Sequence, residues 1–504
     1  MPGLCQVLPL LLALAAADRP LERSLGPEPG SLDPHRASDL SSLALLRDLY
    51  EGLVTEGPDG TILPGVAGRW EASADGLRWR FELRPEARDC LGRRVGASRF
   101  ARALARARDP ATAAPLAGLL RDLAEVEAIG EDELRIRLHR PVALLPRLLL
   151  PIAYPVDVEA AAALGEKAFR PGGAAGNGPY CLAAHRPQDH FRLERNPHFH
   201  AAATVRIATV RHHVVEDPEA ELRRFRTGAL HLTESVPPWP LERLRAEFGP
   251  ALRVAPLLGV FELGLNLEAP PFAGNPALRE ALAAAIDRER LVRTVTPGGE
   301  RPAFGFVPPE LWRSAPEPPP WARLARAERE AHARARLAAA GFGPGRPLRL
   351  AIRHNSSPLH RRTLLAVAAM WREVLGIEVV LEAEEWRSFL VSRARGRGLE
   401  VFRLGWVADV GEPEEFLERF RSGSPLNFTR LRDPEFDALL GAAAAQPAAE
   451  REALLRRAEA RLLEELPAIP LYFLAGRRLV DPRLAGYADH PLDRHPSRWL
   501  HWRE

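Results

Sequence analysis

The sequence predicts an α/β protein with two or three domains. At 504 residues the chain is longer than a single hydrophobic core normally supports. Its first half contains segments in which apolar and polar residues alternate strictly, a pattern typical of antiparallel sheet with one wet face. Its second half alternates strand and helix patterns, which indicates an α/β domain. Apolar residues make up 46% of the chain and charged residues 27%, as in globular proteins.

Three segments of the first half predict strands. In residues 76–84 the apolar side chains occupy every second position, so they all lie on one face of an extended strand. Residues 133–139 and 191–195 repeat this pattern. We therefore expect antiparallel strands over these three ranges.

The second half begins with a helix signal at Asn275 and Pro276. Asparagine is a preferred cap residue, proline suits the first helical position, and apolar residues follow at helical spacing. Strand and helix patterns then alternate. The further predicted elements are a strand over 348–352, a helix over 364–375, a strand over 377–381, a strand that contains Arg403 and a helix over 454–466.

The first residues predict an export signal. Residues 7–17 form a short apolar run, and Ala15 and Ala17 occupy the small-residue positions of a cleavage site. Residues 1–6 carry no lysine or arginine, so an uncleaved apolar helix or a mis-assigned start stays open as an alternative. The run is too short to cross a bilayer, which takes about 20 apolar residues. We expect residues 1–17 to be a signal peptide and the protein to be periplasmic.

Charge and cysteine usage narrow the function. Lys167 is the only lysine, and arginine and glutamate are interspersed without a basic stripe, so nucleic acid is not an expected partner. Cys5, Cys90 and Cys181 have no zinc spacing. A disulfide between Cys90 and Cys181 and free buried thiols are both compatible with the sequence.

The segment 402–409 is the most informative part of the chain. It is an apolar strand that carries Arg403 and ends in Asp409, close to Trp406. A ligand with a carboxylate and an ammonium would find a partner for each end, which matters because burying an unpaired charge costs several kcal/mol. A short peptide is such a ligand.

Several short motifs occur in a fixed order along almost the whole chain after residue 17. They include PDGTILPGVA at 58–67, ADGLRWRFELR at 74–84 and GNGPY at 176–180. Together they resemble the extracytoplasmic solute-binding proteins of peptide, dipeptide and nickel ABC importers, most closely the oligopeptide-binding members. The other matching segments are 31–35, 46–53, 70–71, 193–197, 282–290, 433–437 and 467–473.

The resemblance implies a two-lobed periplasmic binding protein (class II-like) with an extra inserted α+β domain. In this family the lobes close on the ligand, and hinge strands would lie near Leu265 and Leu479. The implied bounds are 18–44, 172–265 and 478–504 for lobe I, 45–171 for the inserted domain and 266–477 for lobe II.

The resemblance also implies roles for seven residues. Asp409 would pair with the α-ammonium of a peptide, and the backbone of Gly405, Trp406 and Val407 would pair with the peptide as an added strand. Arg403 and His360 would contact its carboxylate, and Trp386 would line a side-chain pocket. The structural alternatives are a turn aspartate at 409, a solvated strand residue at 403, a helix-start histidine at 360 and a core tryptophan at 386.

The chain departs from the family pattern at four positions. Thr296 replaces a lysine that could bind the carboxylate of a longer peptide. Val407 stands where close relatives carry a disulfide cysteine. Arg102 and His200 replace an aromatic residue and a tryptophan. These departures leave the length of the ligand open.

We interpret the chain as the binding protein of an ABC importer that captures short peptides and delivers them to the permease and its ATPase. We expect a monomer without a cofactor. We also expect no catalysis, because no GxSxG, HExxH or GxxxxGK(S/T) motif occurs. The alternatives are a carrier of nickel, a metal chelate or another small solute, and a ligand-sensing module without transport. Adjacent histidines could serve a metal carrier, namely His198, His200, His212 and His213.

Overall fold

The computed structural model describes residues 19–173, 176–237, 239–314, 316–444, 446 and 448–503. The expected signal peptide and Cys5 lie outside the described residues. The chain divides into two compact units, and the division falls between Ala255 and Pro256 and again between Gly476 and Arg477. Unit 1 therefore contains both chain ends and unit 2 the segment between them.

The strands of the described residues are, in chain order, β1 (Leu21–Gly26), β2 (Val54–Glu56), β3 (Ile62–Pro64), β4 (Ala67–Ala72), β5 (Arg78–Leu83), β6 (Leu123–Ile129), β7 (Glu133–Leu138), β8 (Tyr180–Arg186), β9 (His190–Arg195), β10 (Thr209–Val214), β11 (Leu252–Leu265), β12 (Arg301–Pro302), β13 (Arg349–Asn355), β14 (Glu378–Glu384), β15 (Val401–Val407), β16 (Ala468–Leu479), β17 (Leu484–Ala485) and β18 (His501–Trp502).

The α-helices of the same residues are α1 (Leu40–Leu49), α2 (Ala97–Arg108), α3 (Leu144–Leu148), α4 (Val158–Leu164), α5 (Pro218–Arg226), α6 (Leu241–Phe248), α7 (Pro276–Ala284), α8 (Arg288–Thr294), α9 (Arg326–Ala339), α10 (Pro358–Leu375), α11 (Trp386–Arg395), α12 (Pro413–Glu418), α13 (Pro434–Ala444) and α14 (Ala448–Glu465). No helix of the described residues is long and apolar enough to span a membrane.

Unit 1 contains two four-stranded sheets. One has the order β1-β10-β9-β8, with β1 parallel to β10 and the other neighbours antiparallel. The other is antiparallel, with the order β4-β5-β7-β6. The strands predicted from alternation are confirmed as β5, β7 and β9. Phe81 is fully buried while Arg80 on the opposite face is exposed, as the period of two requires.

A disulfide joins Cys90 to Cys181 in unit 1. Cys90 follows β5 and Cys181 lies in β8, so the bond ties the two four-stranded sheets together across a sequence separation of 91 residues. This answers the question that the sequence left open in favour of the disulfide. The bond is of a kind found mainly in oxidising compartments.

Unit 2 is built on one mixed sheet of order β12-β16-β11-β15-β13-β14. β13 is parallel to β14 and to β15, whereas β11 is antiparallel to β15. The predicted α/β alternation is confirmed: Asn275 Oδ1 accepts a hydrogen bond from the Leu278 N–H at 3.2 Å and so caps α7. Trp371 on α10 is fully buried and donates from Nε1 to the Leu282 carbonyl at 2.9 Å.

Two long strands cross the division between the units. β11 crosses it at Ala255 and Pro256, and β16 crosses it at Gly476 and Arg477. The finer division into two parts of a lobe and an inserted domain, with the bounds given above, stays a prediction.

Candidate functional site

The strand β15 of unit 2 carries most of the predicted site residues. Phe402 and Leu404 are buried, which anchors one face of the strand in the core, and Val401 at the start of the strand is buried as well. Arg403, Gly405 and Val407 lie on the face opposite to Phe402 and Leu404. The sequence pattern therefore places these three residues together on the more accessible side of the sheet.

The two edges of β15 differ. One edge pairs with β11 over its whole length, from Val401 to Val407. The other edge pairs with β13 only at Val401 and Phe402. Among the described residues no strand covers this second edge from Arg403 onward, so its backbone groups are available to an added strand.

Gly405 has a packing reason to be glycine. A Cβ atom at this position would lie 2.7 Å from the carbonyl oxygen of Val260 on β11, closer than real Cβ contacts come. A side chain here would push β15 away from its partner strand. Glycine thus keeps the strand in register and leaves its face open.

Arg403 and Arg393 form a partly buried cationic pair. Arg403 lies over the Phe261 ring at 5.5 Å, and Arg393 on α11 lies over the Phe428 ring at 4.1 Å. The Nε atom of each is buried without a hydrogen-bond partner, and neither guanidinium makes an ion pair within the described part of the chain. This geometry shows that Arg403 is not a fully solvated strand residue.

The two positive charges of this pair repel each other. Burial lowers the pKa of Arg403, and it lowers the pKa of Arg393 to about 10, with the positive charges of Arg403 and Arg419 adding to the effect. A guanidinium keeps its charge at neutral pH even so. Two partly buried cations that make no ion pair within the described residues are an arrangement that a carboxylate would stabilise.

His360 lies beside this pair at the start of α10. Its N–H is 3.3 Å from Ser357 Oγ, the helix cap, and its ring Nδ1 is 2.9 Å from Asn355 Oδ1. Burial, followed by the charge of Arg403, lowers its pKa to about 4, so the ring is neutral at neutral pH. His360 therefore takes part in the start of the helix, as the structural alternative states. Its neutral ring beside Arg403 can also form a hydrogen bond with a ligand.

Asp409 lies just after β15 in a loop that a neighbouring carboxylate holds. Glu415 on α12 accepts hydrogen bonds from the N–H groups of Asp409 at 2.5 Å and Val410 at 3.1 Å. Its Oε1 also lies 3.4 Å from the Nε1 of Trp406. Asp409 itself is partly buried, so its carboxylate borders both protein and solvent.

The two remaining apolar residues are accessible. Trp386 is 46% exposed at the first position of α11, which contradicts the alternative that it is a core tryptophan. Val407 is 47% exposed at the end of β15. Trp386 precedes Arg393 by about two helical turns, so the helix that carries the second buried arginine also carries an exposed aromatic ring.

A buried ion pair involves β11, the strand next to β15. Arg419 donates two hydrogen bonds to Glu262, at 2.5 and 2.7 Å, and both side chains are buried. Glu262 lies on β11 directly opposite Leu404. The pair thus joins the end of α12 to the strand next to β15.

The positions that depart from the family pattern have structural roles. Arg102 makes a surface ion pair with Glu159 at 2.7 Å, and His200 contacts Glu51 at 2.6 Å. Thr296 is buried, and its hydroxyl has no hydrogen-bond partner within the described residues.

The histidines considered for a metal serve other contacts. His212 and His213 lie 2.9 and 2.6 Å from Asp48 and Glu22, each in a separate carboxylate contact. The described residues contain no group of three or more metal-ligating side chains.

Two residues of the site were missed from the sequence, Arg393 and Glu415. An arginine in a chain with this many arginines carries no signal of its own, and Glu415 is one of several acidic residues around Pro413. Only the packing of α11 and α12 against the sheet singles them out.

Comparisons with known proteins find similar sequences and a similar fold. Residues 61–428 match the family described as bacterial extracellular solute-binding proteins, family 5 Middle. The periplasmic murein peptide-binding protein MppA of Escherichia coli is 32% identical over 96% of this chain and 94% of that protein. The periplasmic oligopeptide-binding protein OppA of the same species is 32% identical over 95% of this chain and 91% of its own length.

A solved structure extends the comparison to the fold. The structure of Haemophilus influenzae OppA in complex with the peptide RPPGFSPFR has a TM-score of 0.80 and 29% identity, and the match covers 97% of this chain and 99% of that one.

Proposed function

The chain belongs to the bacterial extracellular solute-binding proteins, family 5, and on that basis we propose that it captures short peptides in the periplasm for an ABC importer. Its fold is that of the two-lobed binding proteins. Two relatives are named as binding proteins for murein peptides and oligopeptides, whereas a third is named as a probable deoxycholate-binding protein. The open edge of β15 is the observation in this chain that carries the proposal furthest.

That edge offers a peptide what it needs along its length. From Arg403 to Val407 the backbone can exchange hydrogen bonds with an extended ligand. Such bonds recognise the main chain of the ligand and not its side chains. Broad specificity follows from this mode. The exposed side chains of Trp386 and Val407 supply apolar contact for ligand side chains.

The two ends of the strand have opposite charges. Arg403, with Arg393 and the neutral His360, would receive the peptide carboxylate, and Asp409 would receive the ammonium. Asp409 follows Arg403 by six positions, so their Cα atoms are at most about 20 Å apart. An extended peptide of about two to five residues spans roughly 7 to 17 Å, which fits between them.

The family consists of binding proteins, and we propose that this chain has no catalytic activity. A serine, an aspartate and a histidine do meet in unit 1, where Ser497 Oγ donates to Asp48 at 2.6 Å and His212 contacts the same carboxylate. The serine bonds the acid and not the histidine, and all three side chains are fully buried. A nucleophile needs a base at hydrogen-bond distance and access to substrate, and this group lacks both.

We further propose that the protein acts as a monomer, delivers its ligand to a permease and ATPase complex, and reaches the periplasm by means of residues 1–17. The Cys90–Cys181 disulfide supports an oxidising location, because such bonds persist in the periplasm and are rare in the cytoplasm.

Native mass spectrometry of the gently purified protein tests the proposal first. We expect a ladder of bound masses that match peptides of about two to five residues. A single discrete non-peptide mass, or a bound metal ion, would contradict peptide capture and favour the carrier of another solute.

A substitution at Asp409 tests the site itself. Asp409→Asn keeps the shape and removes the charge, so we expect peptide affinity to fall by about 1 to 3 kcal/mol, or roughly 5- to 150-fold, in calorimetry. Glu289→Gln removes one charge from an exposed position on α8 and serves as the matched control. Unchanged affinity in the Asp409 variant, with a folded protein, would contradict the ammonium assignment.

A further inference from the structure

The carboxylate of Glu415 is the least explained charged group near β15. It accepts both backbone N–H groups of Asp409 and Val410, and its Oε1 faces the indole of Trp406. It therefore holds the backbone on both sides of the Asp409 side chain. The chain then turns at Gly411, whose φ of +72° is a left-handed conformation that glycine adopts at low cost.

No cation neutralises Glu415 among the described residues. The neighbouring acids have partners of their own: Glu414 and Glu412 lie 2.5 and 3.7 Å from Arg451 on α14. On α12 itself Glu418 pairs with Arg421, at 2.7 Å. On β11, the strand next to β15, Glu262 pairs with Arg419. The one charge that acts strongly on Glu415 is the negative charge of Asp409.

Burial raises the pKa of Glu415 to about 7, and the charge of Asp409 adds to that rise against the lowering effect of the two backbone hydrogen bonds. Both protonation states are therefore populated at neutral pH. The ionised group offers two oxygens to the two N–H groups. The protonated group carries hydrogen on one oxygen, which weakens the bond that this oxygen accepts and loosens the loop.

We propose that Glu415 is a positioning residue for Asp409, and that an ammonium bound at Asp409 drives release of the proton from Glu415. The carboxylic acid becomes a carboxylate and its proton passes to solvent. The physical reason is that a cation near Asp409 offsets the repulsion from Asp409, which adds to the effect of burial in favouring the protonated form of Glu415. This inference rests on the proposed peptide function, because the cation is the peptide's α-ammonium.

By linkage, a ligand that releases a proton binds more tightly as pH rises. Affinity therefore increases through neutrality, up to the pH at which the peptide's own α-ammonium, with a pKa of about 8, begins to lose its proton. We expect peptide affinity to rise about fivefold between about pH 6 and about pH 7.5. A ligand without the ammonium, such as N-acetyl-trialanine, gains nothing over the same range.

The first experiment needs no ligand. In the free protein, the backbone amide resonances of Asp409 and Val410 should shift with a midpoint near pH 7 in nuclear magnetic resonance spectra. Glu415→Gln should abolish this titration. Glu418→Gln, on the same helix but paired with Arg421, should leave it unchanged. Amides that do not titrate in the unsubstituted protein would overturn the inference.

The second experiment measures the coupling. Calorimetry of tri- and tetra-alanine, in buffers with different ionisation enthalpies, should detect proton release on binding by the unsubstituted protein and by Glu418→Gln. Glu415→Gln should bind without proton release and with a flat pH profile, which a merely structural role would not produce. Peptide binding with pH-independent affinity in the unsubstituted protein would overturn the coupling.

Failure of the proposed function has a separate signature. If neither peptide binds, peptide capture fails and the coupling falls with it, whereas the titration of the two amides persists. If the amides do not titrate and the peptides bind, the proposed function stands and the inference about Glu415 alone is wrong.

Discussion

The surroundings of Arg478 in unit 1 and of Arg403 in unit 2 shift the pKa of an arginine withdrawn from solvent in opposite directions. Arg478 donates to Glu234 at 2.7 and 3.1 Å and to Asp493 at 2.7 and 3.0 Å. Burial alone would lower its pKa, but the charges of Asp493 and Glu234 outweigh burial and raise it well above its ordinary value. Arg403 has no such acids, and burial lowers its pKa.

Two buried glutamates repeat the contrast. Glu56 in unit 1 lies 3.1 Å from both Arg494 and His490, and these partners overcome the effect of burial and lower its pKa to about 2. Glu459 in unit 2 accepts hydrogen bonds from the N–H groups of Phe306 and Val307, and burial outweighs them and raises its pKa to about 7. Fully paired charges of this kind stabilise a fold, whereas unpaired buried charges are typical of functional sites and of strain.

The largest expected effect is the loss of the Arg478 cluster. Arg478→Met leaves Glu234 and Asp493 without their cation, so we expect the free energy of unfolding to fall by about 3 to 5 kcal/mol. Urea denaturation, combined with hydrogen exchange of unit 1 amides, measures it. Arg186→Met removes an exposed arginine of the same unit and is the control. A loss below about 1 kcal/mol would mean that the cluster does not stabilise unit 1.

The two glutamates should give opposite pH dependences. The folded-state pKa of Glu459 lies above its unfolded value, so its contribution makes the free energy of unfolding fall as pH rises from about 4.5 to about 7, by roughly 3 kcal/mol. The folded-state pKa of Glu56 lies below its unfolded value, so its contribution is lost as pH falls from about 4.5 to about 2.

Difference curves isolate each contribution. Unfolding of Glu459→Gln and Glu56→Gln is compared with the unsubstituted protein at each pH, and Glu450→Gln, an exposed change on α14, should give a flat difference. If the difference in the free energy of unfolding changed with pH in the same direction for both variants, the contrast between Glu459 and Glu56 would be wrong.

The smallest expected effect is on binding and not on stability. Arg403→Met removes a buried cation that no acid neutralises, so we expect no loss in the free energy of unfolding. Peptide affinity should fall by about 1.5 to 3 kcal/mol, because the carboxylate loses a charge-assisted hydrogen bond. Arg349→Met, at an exposed position on β13, should change neither quantity. A destabilisation as large as that of Arg478→Met would place Arg403 among the structural charges.

Local patterns in the sequence were sufficient for the main elements. Alternation predicted β5, β7 and β9, and apolar residues at helical spacing predicted α7 and α10, because these patterns depend only on the geometry of one strand or helix. The order of short motifs predicted the two-lobed fold, which the solved relatives share. The alternating strand around Arg403 likewise identified β15.

The site required contacts between segments that are distant in sequence. Trp386 could not be assigned to core or surface from its neighbours, and the structure leaves it exposed. Arg393 was identified as a site residue by its proximity to Arg403 and Phe428, and neither of these residues belongs to the helix of Arg393. Such relations arise when a helix packs on a sheet, and no local pattern encodes them.

By itself the sequence determined the class of protein, the strand that carries the candidate site and the residues at its two ends, because strand period and motif order are local properties of the chain. The tertiary structure decided which charges are paired and which are not. Burial opposes the charged form of each of these groups, so the net shift of each pKa depends on which partners the fold brings close to it. For Arg478 the fold brings two acids, for Arg403 it brings a second arginine, and for Glu415 it brings only backbone N–H groups and an indole.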